Sequence, residues 1–240
     1  MALFLGIFLM GILLVPGMVE DAWADWAFEG FIGQPHSSPG SDWPGYSWFN
    51  APQDIAIDSS DNIYVVTFFE QKVYKHNSAG TLVLEFPVAG IPREVDVDGS
   101  GNIYVSLGNP AQTIAKYDSS GNFISQFSDP GVADFAVDNA GNIYVTQGGS
   151  DWRKYDSSGN LLFTKTESHN IYDGIEIGAY PGTVEVIYFP LGTQLAVRNL
   201  DGSQVTHVSF HNVNPFTESH SGGMEGHQIG IDGSGHLYTA

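Results

Sequence analysis

One pattern recurs in this chain at steps of 40 residues, and it restricts the fold more than any other feature. It reads Asp54-Ile-Ala-Ile-Asp58 with Asn62-Ile-Tyr-Val65, then Glu94-Val-Asp-Val-Asp98 with Asn102-Ile-Tyr-Val105, then Asp134-Phe-Ala-Val-Asp138 with Asn142-Ile-Tyr-Val145. A period of this size means stacked copies of one supersecondary unit, none of which can bury its apolar face alone.

Each copy has the grammar of short strands. Residues 55 and 57 alternate with 56 and 58, as do their counterparts Val95/Val97, Phe135/Val137, Ile175/Ile177 and Ile229/Ile231. Turns rich in Gly, Ser and Asn follow, such as Gly99-Ser-Gly-Asn102 and Asn139-Ala-Gly-Asn142. The next strand is apolar on both faces (Ile63-Tyr-Val-Val66), which predicts burial between neighbours. A third strand ends in Lys116-Tyr-Asp-Ser-Ser-Gly121 or Lys154-Tyr-Asp-Ser-Ser-Gly159, and a fourth, as in Asn122–Phe127, is expected to alternate with polar residues and form an outer edge. Four antiparallel strands per 40 residues make a β-propeller blade. The chain is therefore expected to be all-β, about four full blades plus partial ones. The predicted spans are 50–90, 91–130, 131–170, 171–223 and a partial 224–240. The large residues of the first strand are expected to stack blade on blade, each contributing about 1.5–3 kcal/mol when buried.

The ends and the fourth unit depart from the refrain. Residues 2–15 form an uninterrupted apolar run followed by Pro16-Gly17, and Ala22-Trp-Ala24 offers a small-x-small cleavage site. This reads as a signal peptide over 1–24, with the propeller over 25–240 secreted, extracellular or periplasmic; an uncleaved membrane anchor is the alternative. Trp26–Gly33 is expected to form one strand. The fourth unit carries an inserted Tyr180-Pro-Gly182 and a His- and Gly-rich stretch near 211–226, and the chain stops at Ala240 inside the second strand of unit five, as in a truncated protein.

The net charge of −19, with 8 Lys+Arg against 27 Asp+Glu, makes nucleic acid a poor partner, because binding needs cations to displace phosphate counterions. An anionic membrane is disfavoured for the same reason, beyond the signal segment. A protein or glycan ligand is compatible with the composition. With no cysteine, disulfides and thiolate chemistry are excluded.

The stretches Phe49-Asn-Ala-Pro-Gln-Asp-Ile-Ala-Ile-Asp58, Gly141-Asn-Ile-Tyr-Val145 and Lys154-Tyr-Asp-Ser-Ser-Gly159 resemble NHL repeats of extracellular, six-bladed β-propellers. In place of that family's Gly before the first strand stand Asp54, Glu94 and Asp134, and its Asp-x-x-Asn-x-Arg-Ile signature is absent. The family includes binding scaffolds, an amidating lyase and sugar-lactone hydrolases, so the resemblance implies an incomplete six-bladed ring with Trp26–Gly33 as its closing outer strand, and it leaves the activity open.

Three constellations are candidates for function. Asp54, Glu94 and Asp134 share one repeat position at the start of the innermost strand, so they are expected at the central channel. Several carboxylate oxygens suit Ca²⁺; the plainer reading is that each caps backbone N–H groups nearby. Trp43 and Trp48, in a Pro/Ser/Gly-rich loop, His220, in the long fourth unit, and His227, at the entry to the fifth, are candidate ligand-binding residues. The resemblance to the amidating lyase further implies Zn²⁺ on channel histidines, with His169 and His227 as the positions to watch. The turns at Asp58, Asp98, Asp118 and Asp156 lack the distal Glu of an EF-hand and read as Asx turns. The function expected is a secreted protein- or glycan-binding scaffold acting through the channel mouth and loops. The alternative is a metal-dependent lyase or hydrolase with its site at the channel.

Overall fold

The computed structural model describes residues 51–108, 112–168, 170–171, 174–179, 185–191, 194–209, 229–231 and 237–239. The signal segment, Trp26–Gly33, the loops at 34–50 and 211–226 and the Tyr180 insertion lie outside them.

Among the described residues, eighteen strands run in chain order. Blade one holds β1 (Pro52–Ile57), β2 (Ile63–Thr67), β3 (Lys72–His76) and β4 (Leu82–Pro87), and blade two β5 (Ile91–Val97), β6 (Ile103–Gly108), β7 (Thr113–Tyr117) and β8 (Phe123–Ser128). Blade three holds β9 (Asp134–Val137), β10 (Ile143–Thr146), β11 (Asp151–Tyr155) and β12 (Leu161–Thr166), and blade four β13 (Glu176–Ala179), β14 (Glu185–Leu191), β15 (Gln194–Asn199) and β16 (Gln204–Ser209). β17 (Ile229–Ile231) and β18 (Leu237–Thr239) form a two-stranded sheet. Each full blade is an antiparallel meander paired in sequence order, and the first strands of successive sheets stand side by side. This is a β-propeller: four four-stranded sheets arrayed about a common centre, with β1, β5, β9, β13 and β17 innermost. No helix among the described residues is long and apolar enough to cross a membrane.

The core lies between blades, as alternation on the first strand and apolarity on the second require. Ala56, Tyr64, Val66, Val73 and Phe86 of blade one meet Val95, Ile103 and Val105 of blade two. Tyr104 and Ile114 meet Phe135, Val137 and Val145 of blade three, and Tyr144 and Trp152 meet Ile175, Ile187 and Phe189 of blade four. One expectation fails. Ile57 is 63% exposed and Ile55 37%, whereas their counterparts Val95, Phe135 and Ile175 are buried. Those three pack against the blade before their own; no described sheet precedes blade one.

The outer strands differ from expectation too. A bulge interrupts the pairing of each outer strand with its neighbour, between Lys75 and His76, Lys116 and Tyr117, Lys154 and Tyr155, and Val197 and Arg198. A bulge sets two residues against one and upsets the alternation. Phe123 with Ile124, and Leu161 with Leu162, are accordingly exposed in adjacent pairs.

Candidate functional site

An innermost strand has a paired neighbour on one side only, so the backbone groups on its other edge face the centre and need other partners. Side chains of the preceding blade supply them. Asp54 Oδ2 accepts the N–H of Val95 at 2.8 Å, Asp96 Oδ2 that of Val137 at 2.6 Å, and Asp134 Oδ2 that of Ile175 at 2.9 Å. Each bond reaches 41 residues forward, from one blade to the next. The other oxygens of Asp96 and Asp134 accept the N–H of the residue following each, Val97 and Phe135, both at 2.7 Å. Three carboxylates thus clasp four blades.

The three acids expected at the channel, Asp54, Glu94 and Asp134, do come together electrostatically. The structure adds two more, Asp96 and Glu176. These sit two residues further along the strand, where blades one and three carry Ala56 and Ala136. The sequence held the signal, an alternation Ala56, Asp96, Ala136, Glu176 on the small-residue face, which a search for like residues at one position passes over.

Burial sets the electrostatics of this cluster. It pushes Asp54 up to about 6, although N–H groups of Val95 and Ile55 and a hydrogen bond with Glu94 pull the other way. Asp96 is pushed to about 7 by burial, against the N–H bonds from Val97 and Val137 and with help from the charges of Asp54 and Asp98. Asp134 reaches about 7 through burial and the Asp54 charge. Burial, with Asp54 and Asp134 nearby, lifts Glu94 to about 9. Glu176 rises well above the ordinary range through burial and the charges of Asp96, Asp134 and Asp54. Like charges kept close and out of water favour partial protonation, so the cluster retains protons at neutral pH.

No group of three His, Asp or Glu side chains among the described residues is arranged to hold a metal ion. The clasps give a physical reason, since the oxygens of Asp54, Asp96 and Asp134 already accept backbone N–H groups. Trp43, Trp48, His169, His220 and His227 lie outside the described residues.

The turn carboxylates form a second recurring arrangement. Asp98 Oδ1 accepts the N–H groups of Ser100 and Asn102, both at 2.9 Å, and Oδ2 accepts Asn102 Nδ2 at 2.7 Å and the Tyr104 hydroxyl at 3.1 Å. Asp58 and Asp138 repeat the set with Asn62/Tyr64 and Asn142/Tyr144. Burial works against ionisation of Asp58, but bonds from Asn62, Ser60 and Tyr64 outweigh it and hold the carboxyl below its ordinary range. Burial and the Asp58 partner push the Tyr64 hydroxyl up. In register opposite each tyrosine stands a lysine, Lys75, Lys116 or Lys154, with Nζ 4.8–4.9 Å from the ring centre. These turns are Asx turns, and their acidic oxygens are spent on the hairpin.

No family model matches the chain, and no curated protein matches it significantly. Solved structures do. Virginiamycin B lyase from Staphylococcus aureus is 12% identical with a TM-score of 0.57, over 80% of this chain and 64% of that one. BBS1N, solved in complex with ARL6DN, is 15% identical with a TM-score of 0.56, over 78% and 63%. A streptogramin B lyase is 17% identical with a TM-score of 0.53, over 68% and 56%. The chain thus spans less than two thirds of the length of each of these three. At such identities the likeness speaks for the fold, and that fold is the β-propeller.

Proposed function

We propose that this chain is a secreted, NHL-like β-propeller that acts as a binding scaffold, taking a protein or glycan ligand at its channel mouth and loops. The observation that carries this reading is how the repeated polar residues are used: the turn aspartates close hairpins and the inner aspartates clasp blades. Recognition then falls to what the repeat leaves unspecified, the loops carrying Trp43, Trp48, His220 and His227. BBS1N, a similar propeller solved with a protein partner, supports a protein ligand, and the net charge of −19 favours a basic one. The test is retention of secreted proteins and arrayed glycans by the immobilised chain. Retention that Trp43→Ala or Trp48→Ala reduces at least tenfold, with melting unchanged, is the expected result. Equal retention by both variants and the wild type would sink the reading.

The second reading, a metal-dependent lyase or hydrolase at the channel, draws support from the buried carboxylates and from the two lyases among the similar structures. Ca²⁺ at Asp54, Glu94 and Asp134, or Zn²⁺ at histidines, belongs to it. Calcium at the carboxylates requires them to release protons and backbone partners, so it would raise the melting temperature more at pH 8 than at pH 5. Metal analysis that finds no bound ion, with melting unmoved by chelator or added Ca²⁺, would remove this reading.

A further inference from the structure

Each full blade ends in a strand paired on one side only: among the described strands, β4, β8, β12 and β16 are outermost in their sheets. Such an edge offers unpaired N–H and C=O groups to any strand that can lie beside it, and proteins guard edges with charge or proline. Three of these four strands carry a guard. β4 has Glu85 and Pro87, β12 has Lys165, and β16 has the ionisable His207. β8 reads Phe-Ile-Ser-Gln-Phe-Ser from 123 to 128, with no proline, no glycine and no ionisable side chain. Six residues of this kind, rich in strand formers and free of charge, are the signature of a segment that pairs with its own copy. β8 is also apolar on the outside, with Phe123 57% exposed and Ile124 50%. The bulge falls at Ile124, and from Ser125 to Ser128 the pairing with β7 runs unbroken. Aromatic contacts hold the strand in place: Phe123 meets Tyr117 edge-on at 5.9 Å, and Phe127 lies 4.8 Å from Tyr155 of blade three.

We infer that β8 is the docking edge for a second copy of this chain: two β8 strands pair antiparallel about a two-fold axis and join the second blades of two molecules into one continuous sheet. A second copy is the occupant that matches the edge. In a chain of net charge −19, an uncharged strand lets two molecules meet without like charges in contact. The two-fold presents the same patch on both sides and consumes both edges, so association stops at the dimer. Alternation sets the register. Residues directly opposite must share a face, which places the axis at a residue, and Gln126 is the one nearest the middle of the strand and clear of the bulge. Gln126 then stands opposite the partner's Gln126, and Ser125 opposite the partner's Phe127. The contact is small. Two short edges with Phe123 and Ile124 alongside bury less than about 1,200 Å², in the range of transient complexes, so a dissociation constant on the order of 10–100 µM is expected. Repulsion between the two acidic molecules opposes it and is screened by salt. The inference is independent of what the propeller binds.

The test is sedimentation of the full chain over about 5–500 µM, a span that brackets the expected constant, at low and at high NaCl. Wild type should dimerise, and more completely at high salt. Gln126→Glu sets two like charges directly opposite each other, so it should weaken the dimer about fivefold or more. Gln126 is exposed, so melting should not change. The chain has no cysteine, which makes Gln126→Cys a single thiol. Opposed strand residues bring their Cα atoms to about 5 Å, within disulfide reach, so diamide should link this variant into a covalent dimer. Leu162→Cys on β12, at a position 52% exposed, should link about tenfold more slowly, because it has only random collisions to rely on. A chain monomeric over the whole range would overturn the inference. So would a dimer that Gln126→Glu leaves intact, one that high salt dissolves, or equal linking of the two cysteine variants. If Gln126→Glu fails to fold, the comparison of the two cysteine variants decides.

Discussion

Tyr104 illustrates how one repeated residue works at several levels. Its ring is fully buried between blades, its hydroxyl donates to Asp98, and its face lies against Lys116. The hydroxyl also lies 3.3 Å from the carbonyl of Gly141 in blade three. Asp98 is 6% exposed and accepts four hydrogen bonds, so truncation orphans several donors at once. Asp98→Ala should cost about 2–3 kcal/mol in urea unfolding. Asp118 makes the same local Asx bonds to Ser120 and Asn122 in an exposed turn, where water can replace them. Asp118→Ala should therefore lose measurably less than Asp98→Ala; equal losses would refute this division. Blade four departs from the pattern. Arg198 occupies the lysine position, but it pairs in register with Ile187 rather than with Tyr188, and it bonds to Glu167 of the preceding connection. Glu167 also accepts Trp152 Nε1 at 3.2 Å, so one buried carboxylate ties blade three to blade four.

At the scale of the element, the turn after the third strand is where blades interlock. Gly121, Gly159 and Gly202 all have φ near +80° and close these turns. A Cβ at Gly121 would lie 2.6 Å from the Phe86 ring, one at Gly159 2.7 Å from Phe127, and one at Gly202 3.1 Å from Trp152. In each case the aromatic belongs to the preceding blade, so glycine serves both the turn and the contact. Gly159→Ala should cost about 2–4 kcal/mol, the left-handed strain plus the clash. Gly101, with φ +79° but nothing nearer than Ser119 Cβ at 3.5 Å, isolates the first term, and Gly101→Ala should cost only about 1–2 kcal/mol. Urea unfolding of both variants measures the clash by difference, and equal losses would show that the interlock adds nothing. The exposed face of blade one gives a second contrast. Ile57→Lys should shift stability by less than about 0.5 kcal/mol, whereas Val137→Lys places a charge at a position 6% exposed and should abolish folding. Circular dichroism of the two variants checks it.

Among the described residues, Asp54, Glu94, Asp96, Asp134 and Glu176 gather acidic groups at the centre of the ring. Burial raises Asp54 to about 6 and Asp96 and Asp134 to about 7, so the folded chain takes up protons that the unfolded chain has released. The linkage is opposite to that of a salt-bridged carboxylate: stability is greatest near the unfolded range of about pH 4 and falls as pH rises through 6 to 7. Thermal melts between pH 5 and 8 should show a progressive fall, and a melting temperature that instead rises over this interval would show that the cluster is not buried as described. With so few cations in the chain, salt should narrow the fall by screening the more exposed acids.

The sequence alone determined the fold class, the order of strands in a blade and the chemistry of the turns. All three rest on interactions within a few residues, such as alternation along a strand and Asp accepting N–H groups two and four positions on. The carboxylates at Asp54, Glu94 and Asp134 were legible as a group because they share a repeat position. That Asp96 and Glu176 join them, that three of the five acids clasp the following blade, and that Ile55 and Ile57 remain exposed were decided only by the tertiary structure. Each depends on which blade stands beside which and on bulges that shift one residue against its neighbours. A repeat fixes what lies within its own unit, while burial, charge coupling and partnership arise where two units meet.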